Sequence, residues 1–599
     1  MRQIRVPVFV VGAGPAGLTT AALLAKYGVE VLAITRYPGT AHSPRAHITN
    51  QRTVEVFRDL GIEERVRALA TPHELMSNNV WATSFAGTEF ARLQTWGTGI
   101  KRKSDYEAAS PSQMCNAPQH LLEPIILTAA REYGAKMLFN TELVSIRQTD
   151  EAVYSRVVDR LTGEEFEIVS DYAVGADGAQ SLVVKQLGFE LDGEMGLGCA
   201  VNCWLEADLT KYTAHRPGVL YWMCQPGSDY WVGSGTWICV RPWNEWVLLF
   251  MYNPKDGEPD LSEEAVIARA RATIGDPDVP IRVKAVSKWT INRMHARNMV
   301  KGRVAIAGDA AHRHPPANGL GSNTSVQDGF NLAWKLAMIV KGQASPALLQ
   351  TYSDERQPVA EGVVKRAIQS VGEMRPIAQA LGFAEGQSAA DGWKSLDELL
   401  SDGATGRARR KALAVAIDLQ NYQFNCHGVE LGQRYTSPAI VRDGATFPVP
   451  SRDPELYYHA TTTPGASIPH AWIQRERELV STLDLVGHGA FTVLTGAGGE
   501  AWIDAAKQMG EAFGVDVNAV SIAHGTGTFD AYGDWARQRE IEDHGCLLVR
   551  PDRFVAWRAE TLAADPVGEL RRVFSQILGK APGESVQGAA HVAAATVGV

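Results

Sequence analysis

Gly12, Gly14 and Gly17 form a Gly-x-Gly-x-x-Gly run with Pro15 and Ala16 between the last two. The first glycine allows a tight turn, the second lets backbone approach a pyrophosphate, and the third lets a helix pack closely on a strand. That is the chemistry of dinucleotide binding. Where an acidic residue commonly binds a ribose, at the end of the following strand, the chain has Thr35 and then Arg36. Arg36 could accommodate the extra phosphate of NADP, so this pattern leaves an NADP site and an FAD site both open. His47 is a candidate base, because an imidazole with a pKa near ~6.5 can take a proton close to neutral pH.

A scaffold must hold these residues. Val6 to Val11 reads as a buried parallel strand, followed by the glycine turn, an alanine-rich helix ending at Tyr27, Gly28 as its cap, and a second strand over Val29 to Thr35. This βαβ opening predicts an α/β fold with a doubly wound, Rossmann-like sheet. From Cys199 to Tyr252 the chain changes to short runs dense in Trp, Tyr, Val and Cys, including Gly218 to Cys224 and Tyr230 to Ile238, which is β-sheet texture. Trp222, Met223 and Trp289 read as core. Nucleotide-site character returns over Val304 to Val340, so the sheet segment reads as an insertion into a discontinuous domain. Helices are expected from Leu348 to about Tyr422, then a long Gly- and Pro-rich connection over Asn425 to Pro469. Beyond it, Phe491 to Leu494 reads as a strand, Ala501 to Phe513 as a helix, and Cys546 to Trp557 as a hairpin turning at Pro551-Asp552.

With 599 residues, the chain exceeds the size of one core, and two or three domains are expected. No apolar run reaches the length of a bilayer span. The net charge of −9, without a basic stripe, argues against nucleic acid as a partner. Met1 leads almost directly into a strand, so a secretory leader is not expected and a cytoplasmic location is. Cys115, Cys199, Cys203, Cys224, Cys239, Cys426 and Cys546 include no Cys-x-x-Cys pair and no metal-like spacing with His, so reduced thiols and no metal are expected.

Two later stretches decide between the cofactors: Val174-Gly-Ala-Asp177-Gly178-Ala-Gln-Ser181, and Val304-Ala-Ile-Ala-Gly308-Asp309 running on through His312, Pro315 and Pro316 to Gly319-Leu320-Gly321-Ser322-Asn323. With them the chain resembles the single-component FAD-dependent aromatic hydroxylases, the group A flavoprotein monooxygenases, over essentially its whole length. Pro44-Arg-Ala-His47-Ile-Thr-Asn50, Phe57-Arg-Asp-Leu-Gly-Ile and His314-Pro-Pro-Ala-Asn-Gly-Leu-Gly-Ser-Asn resemble the phenol hydroxylase type, and Pro464 to Trp472 with Leu548 to Trp557 resemble that type's C-terminal thioredoxin-like domain. Lacking Cys-x-x-Cys, that domain is not expected to do thiol redox chemistry.

The resemblance implies an FAD-binding domain in two parts, 1–190 (with 76–118 contributing to the substrate pocket) and 295–375. It implies an inserted β-rich substrate domain at 191–294, a helical connection at 376–424 and a thioredoxin-like domain at 425–599. Asp309 would accept hydrogen bonds from the ribityl hydroxyls, Gly319 and Gly321 would let backbone amides approach the isoalloxazine, and the helix from Ser322 would place its positive end beside the ring. Arg45, Gln119, Asp177, Gly308, Leu320 and Asn323 fall at matching cofactor positions. Val184-Lys185 stands where an arginine is common in the family, which leaves NADPH or NADH without an assigned dock.

The implied activity is ortho-hydroxylation of a phenol with O2, through a flavin hydroperoxide, with NADPH or NADH as reductant. Such an oxidant needs an electron-rich ring, and a phenol of pKa near ~10 needs a base to become one. His47, close to Arg45, is expected to be that base. By resemblance Arg241 faces the substrate and Pro315 and Pro316 line the wall opposite the reactive carbon. A small aromatic substrate and O2 are the expected partners, in a homodimer or homotetramer, with no membrane partner. Hydroxylation of a larger aromatic such as a polyketide, and a non-catalytic flavin sensor, share every one of these motifs.

Overall fold

The computed structural model describes residues 2–227 and 234–584. Strand β1 (Arg2–Val11) passes through the glycine turn into helix α1 (Pro15–Lys26) and strand β2 (Val31–Ile34). β1 begins earlier than Val6 because Arg2 to Arg5 find ladder partners in Phe166 to Val169 of a long neighbouring strand. Gly28, just past α1, has φ of 74°, the left-handed conformation that closes a helix. Helix α2 (Gln119–Glu132), strand β3 (Glu165–Gly175) and strand β4 (Val304–Ile306) complete the nucleotide-binding unit. Its sheet runs Val300–Lys301, β4, β3, β1, β2, Lys136–Leu138, with β4 to Lys136–Leu138 parallel. Strands adjacent in space are thus remote in the chain, which brings the glycine turn and the end of β4 to the same sheet edge.

Five strands of a second, eight-stranded sheet lie between β3 and β4 in sequence. Its order is His312–Arg313, Arg282–Ala296, Leu191–Glu206, Glu245–Tyr252, Gly235–Arg241, Gly218–Met223, Asn78–Ala82, Glu89–Gln94. One face is closed by helix Glu263–Ile274 over Tyr221, Met223, Trp237 and Leu248. On the opposite face Leu220, Trp222 and Ile238 are half-buried and pack with Ile48, Trp81 and Phe424. Met223 is therefore core, as expected, whereas Trp222 stacks against Trp81 at 6.3 Å and Trp289 lies half-buried, donating to Asn202. Side chains one residue apart in a strand face opposite ways. Of the expected strand from Tyr230, residues Tyr230 to Gly233 lie outside the described residues.

Helix α3 (Gly321–Val340) runs through the middle of the molecule, with every residue from Asn323 to Val340 buried. Helix α4 (Gln350–Glu373) packs beside it. The segment from Asn425 to Pro469 is irregular apart from the short helix His427–Leu431. The C-terminal unit has a four-stranded sheet in the order Val517–Ser521, Phe491–Thr495, Cys546–Val549, Val555–Ala559, with helices Glu500–Phe513 and Pro566–Leu578 packed together. The expected hairpin at Pro551-Asp552 joins the last two strands. Among the described residues no helix is long and apolar enough to cross a membrane, and no group of His, Cys, Asp or Glu could hold a metal ion.

Candidate active site

The three fingerprint glycines have three different surroundings. A methyl on Gly12, where φ is 115°, would come 2.1 Å from the carbonyl oxygen of Ala176, and one on Gly17 would come 2.1 Å from that of Gly12. Around Gly14 nothing lies within 4 Å. The first and third therefore serve close packing and the second leaves open space over the start of α1. Gly14 caps α1 without a side chain and Pro15 occupies its first turn, so the next N–H groups remain available to an anion. Thr35 is buried at the end of β2, while Arg36 is exposed, stacked on Tyr37 and 3.8 Å from Glu142.

β4 delivers the second cluster to the same edge. Asp328 on α3 accepts from the Gly308 amide at 3.1 Å, from His312 Nε2 at 2.7 Å and from Arg356 Nε at 2.8 Å. These contacts pin both sides of Asp309. Its residue surface is exposed, yet protein crowds the carboxyl from the sides, so burial raises its pKa while His312, Arg313 and Arg45 pull the other way. A carboxylate on an exposed residue, next to Gly308, which packs close to Ala16 of the glycine turn, fits a hydroxyl-bearing ligand. Asp309→Ala should weaken FAD binding about 10- to 100-fold, the worth of a charge-assisted hydrogen bond or two, measured by fluorescence titration of the apoprotein.

Three expected cofactor side chains are spent inside the protein. Asp177 accepts from Ser181 Oγ at 2.5 Å and the Leu182 amide at 2.7 Å, capping helix Leu182–Leu187. Gln119 donates to Glu123 Oε1 at 2.5 Å, and Glu123 in turn accepts from the Ala41 amide at 2.6 Å, which fixes the loop that carries the exposed Arg45. Asn323, 1% exposed, accepts from the Asn50 amide at 2.9 Å and donates to Ile48 O at 2.8 Å and Gly319 O at 2.6 Å. These three are positioning residues, and of Asn323 only the backbone is left to a ligand. Gly319, with φ of 64°, brings the loop within 2.9 Å of Ile48 Cβ, measured from a methyl built on it. Leu320 begins α3 with no side-chain cap, so the first amides at Gly321, Ser322 and Asn323 present the helix's positive end to the cleft.

His47 stands where these parts meet the aromatic sheet. Its carbonyl accepts from the Ala117 amide at 2.8 Å, and Gln119 N bonds Ala46 O at 2.9 Å, which ties it to the start of α2. The ring is buried, and its Nδ1 has no partner. Burial, with His120 as a second cause, lowers its pKa to about 3, so the expected value near that of a free imidazole does not hold. His120 sits edge-on to Trp204, 5.3 Å between ring centres. Arg241 is exposed at the end of its strand with Nε 3.6 Å from Glu245, not enclosed in a pocket. Pro315 is buried and Pro316 exposed, at the end of the strand His312–Arg313.

Sequence reasoning missed a buried ion network beneath the site. Besides Asp328 and Arg356 it contains Lys335, Glu355, Arg550 and Asp552, with Lys335 Nζ 2.7 Å from Glu355 and Arg550 bonded to both Glu355 and Asp552. The signal was partial: Asp328 and Lys335 are the only charged residues of a helix that is buried from Asn323 to Val340, where a charge must have a partner.

A glycine turn, a strand-end carboxylate and an uncapped helix start on one edge define a flavoprotein-type dinucleotide cleft. The family model for the FAD binding domain matches residues 5–367, and that for the aromatic-ring hydroxylase C-terminal region matches 461–581. The chain belongs to the FAD-dependent aromatic-ring hydroxylase family. It is 48% identical over 580 residues to 2,4-dichlorophenol 6-monooxygenase of Cupriavidus pinatubonensis (strain JMP 134 / LMG 1197), covering 96% of this chain and 97% of that one. It is 43% identical over 575 residues to phenol 2-monooxygenase of Pseudomonas sp. (strain EST1001), covering 96% and 93%. Its fold matches the flavin-dependent monooxygenase PieE, solved with FAD and substrate, at a TM-score of 0.94 and 49% identity, over 97% of this chain and all of that one.

Proposed function

We propose that this protein is an FAD-dependent, NAD(P)H-consuming phenol 2-monooxygenase that converts a phenol, chlorinated phenols included, to a catechol. The observation that carries this reading is the place of His47, a buried imidazole with an unpartnered Nδ1, two residues from Arg45 and beside His120, which in turn sits edge-on to Trp204 of the aromatic sheet. The names and coverage of the two monooxygenase relatives support it. FAD, held by the glycine turn, Asp309 and the start of α3, would supply the redox chemistry that uses NAD(P)H and dioxygen to put one oxygen atom on the ring.

The chain's own residues bind, orient and deprotonate. The apolar face excludes water from the substrate ring, which limits loss of the activated oxygen to solvent. His47 offers a neutral nitrogen to the phenolic hydroxyl. With a pKa of about 3 it cannot hold a phenol's proton alone, but the negative charge of the phenolate left beside it would raise that value. Proton transfer is thereby coupled to ring activation. Arg241, at the exposed end of its strand and paired with Glu245, would lend positive charge toward an anionic ring, and Pro315 and Pro316 would wall the cleft. We expect a closed homodimer or homotetramer.

The test is a panel of substituted phenols scored for NAD(P)H consumption and catechol formation. His47→Ala should cut catechol formation about 10²- to 10⁴-fold, the usual worth of a general base, with NAD(P)H consumption persisting and hydrogen peroxide appearing instead. An unchanged hydroxylation rate would remove His47 from the mechanism. Because the folded pKa is depressed, the basic form persists from neutral pH down to about 3, so kcat/KM should show no His47 limb between pH 7 and 5.

A further inference from the structure

His314 lies between Asp309 and Gly319, in the segment linking the two halves of the cleft. Its Nδ1 is 2.6 Å from the carbonyl oxygen of Pro315. A carbonyl only accepts, so Nδ1 carries the hydrogen, and in the neutral ring Nε2 is left as a lone-pair acceptor. Burial favours the neutral ring, lowering its pKa to about 4. Nε2 is sealed from solvent and finds no donor in the protein. A methyl built on Gly321 would lie 3.7 Å from this nitrogen, so Nε2 stands beside the uncapped start of α3.

A buried acceptor without a donor is costly, and such groups in native proteins call for a partner from outside the chain. The uncapped start of α3 offers backbone N–H groups, which are donors, and the imidazole beside it offers an acceptor. That set complements a ring carrying carbonyls next to an N–H. We propose that His314 Nε2 accepts a hydrogen bond from an N–H or O–H group at the isoalloxazine end of bound FAD. The proposal rests on reading the cleft as the FAD site. His314 is then a cofactor-contacting residue, locked in one tautomer by Pro315, the residue that also begins the substrate wall.

His314→Phe keeps a ring of similar shape and removes the acceptor, while His314→Gln restores one. Apoprotein of each is titrated with FAD, without phenol or NAD(P)H, following flavin fluorescence and the visible absorption of the bound cofactor. The expected result is about tenfold weaker binding and a displaced absorption band for Phe, with Gln within about threefold of the parent. Should Phe not fold, His314→Leu gives the same comparison. Parent-like affinity and spectrum in the acceptor-less variant would overturn the proposal. Failure of the parent itself to take up FAD would instead overturn the cofactor reading.

Discussion

Glu355→Ala should yield a protein whose unfolding midpoint falls far below that of the parent. Glu355 is fully buried and accepts from Lys335 Nζ at 2.7 Å, Asn331 Nδ2 at 2.7 Å, Ser437 Oγ at 2.6 Å and both terminal nitrogens of Arg550, at 2.6 and 2.8 Å. Its removal leaves the buried ammonium of Lys335 without a carboxylate, and Arg550 with Asp552 alone. Breaking a buried pair in this way costs about 3–5 kcal/mol, because a charge is left in a poor solvent. Burial pushes the Glu355 carboxyl up, but Arg550 and Lys335 together pull it well below the ordinary value. A depressed carboxylate contributes stability that is complete above its unfolded pKa and lost as pH falls through the folded one. The parent should therefore lose stability on acidification below about pH 4.5, and Glu355→Ala should lose less over the same range. Thermal melts across pH check both; a midpoint within a degree or two of the parent would show the network to be dispensable.

Gly14→Asp should fold normally and come out colourless. Gly14 has φ of −83°, which any residue adopts, and open space where its Cβ would point. As the residue before the first turn of α1, an aspartate there is even a favourable cap. Its charge would stand where the cofactor's pyrophosphate must lie, and its carboxylate would occupy the amides meant for phosphate. FAD affinity should drop about 100-fold or more, with the melting curve of the apoprotein unchanged. Gly12→Ala should fail differently, since its methyl meets a carbonyl at 2.1 Å and the turn itself must move. A yellow Gly14→Asp protein would place the pyrophosphate elsewhere.

The fingerprint was legible because its residue types and spacing form a short pattern in a strand-turn-helix setting, and the Gly308-Asp309 element because it is a short string that the resemblance carries, although the atoms that hold them, Ala176 against Gly12 and Asp328 against Gly308, are remote in the chain. The βαβ opening, the inserted sheet and the C-terminal hairpin followed from periodicity and turn chemistry over short windows. Side-chain roles were less legible where the partner is remote. Asn323 looked like a cofactor residue, yet its amide bridges to Ile48 and Asn50 more than 270 positions away. For Asp177 the partners are near, since Ser181 and Leu182 bond its carboxylate, but that capping role depends on where the following helix begins. The lowered basicity of His47 arises from burial, and no spacing of residue types encodes that. Trp222 and Met223 differ by one position and face opposite sides, a distinction that needs the strand's register.

The hairpin carrying Arg550 and Asp552 reaches between α3 and α4 and supplies part of the charge balance under Asn331 and Lys335. Chimaeras that exchange C-terminal units among relatives therefore have to transfer these charges as a matched set. A recipient lacking either half of the match would inherit a misfit at the centre of the molecule, however well its outer surfaces agreed.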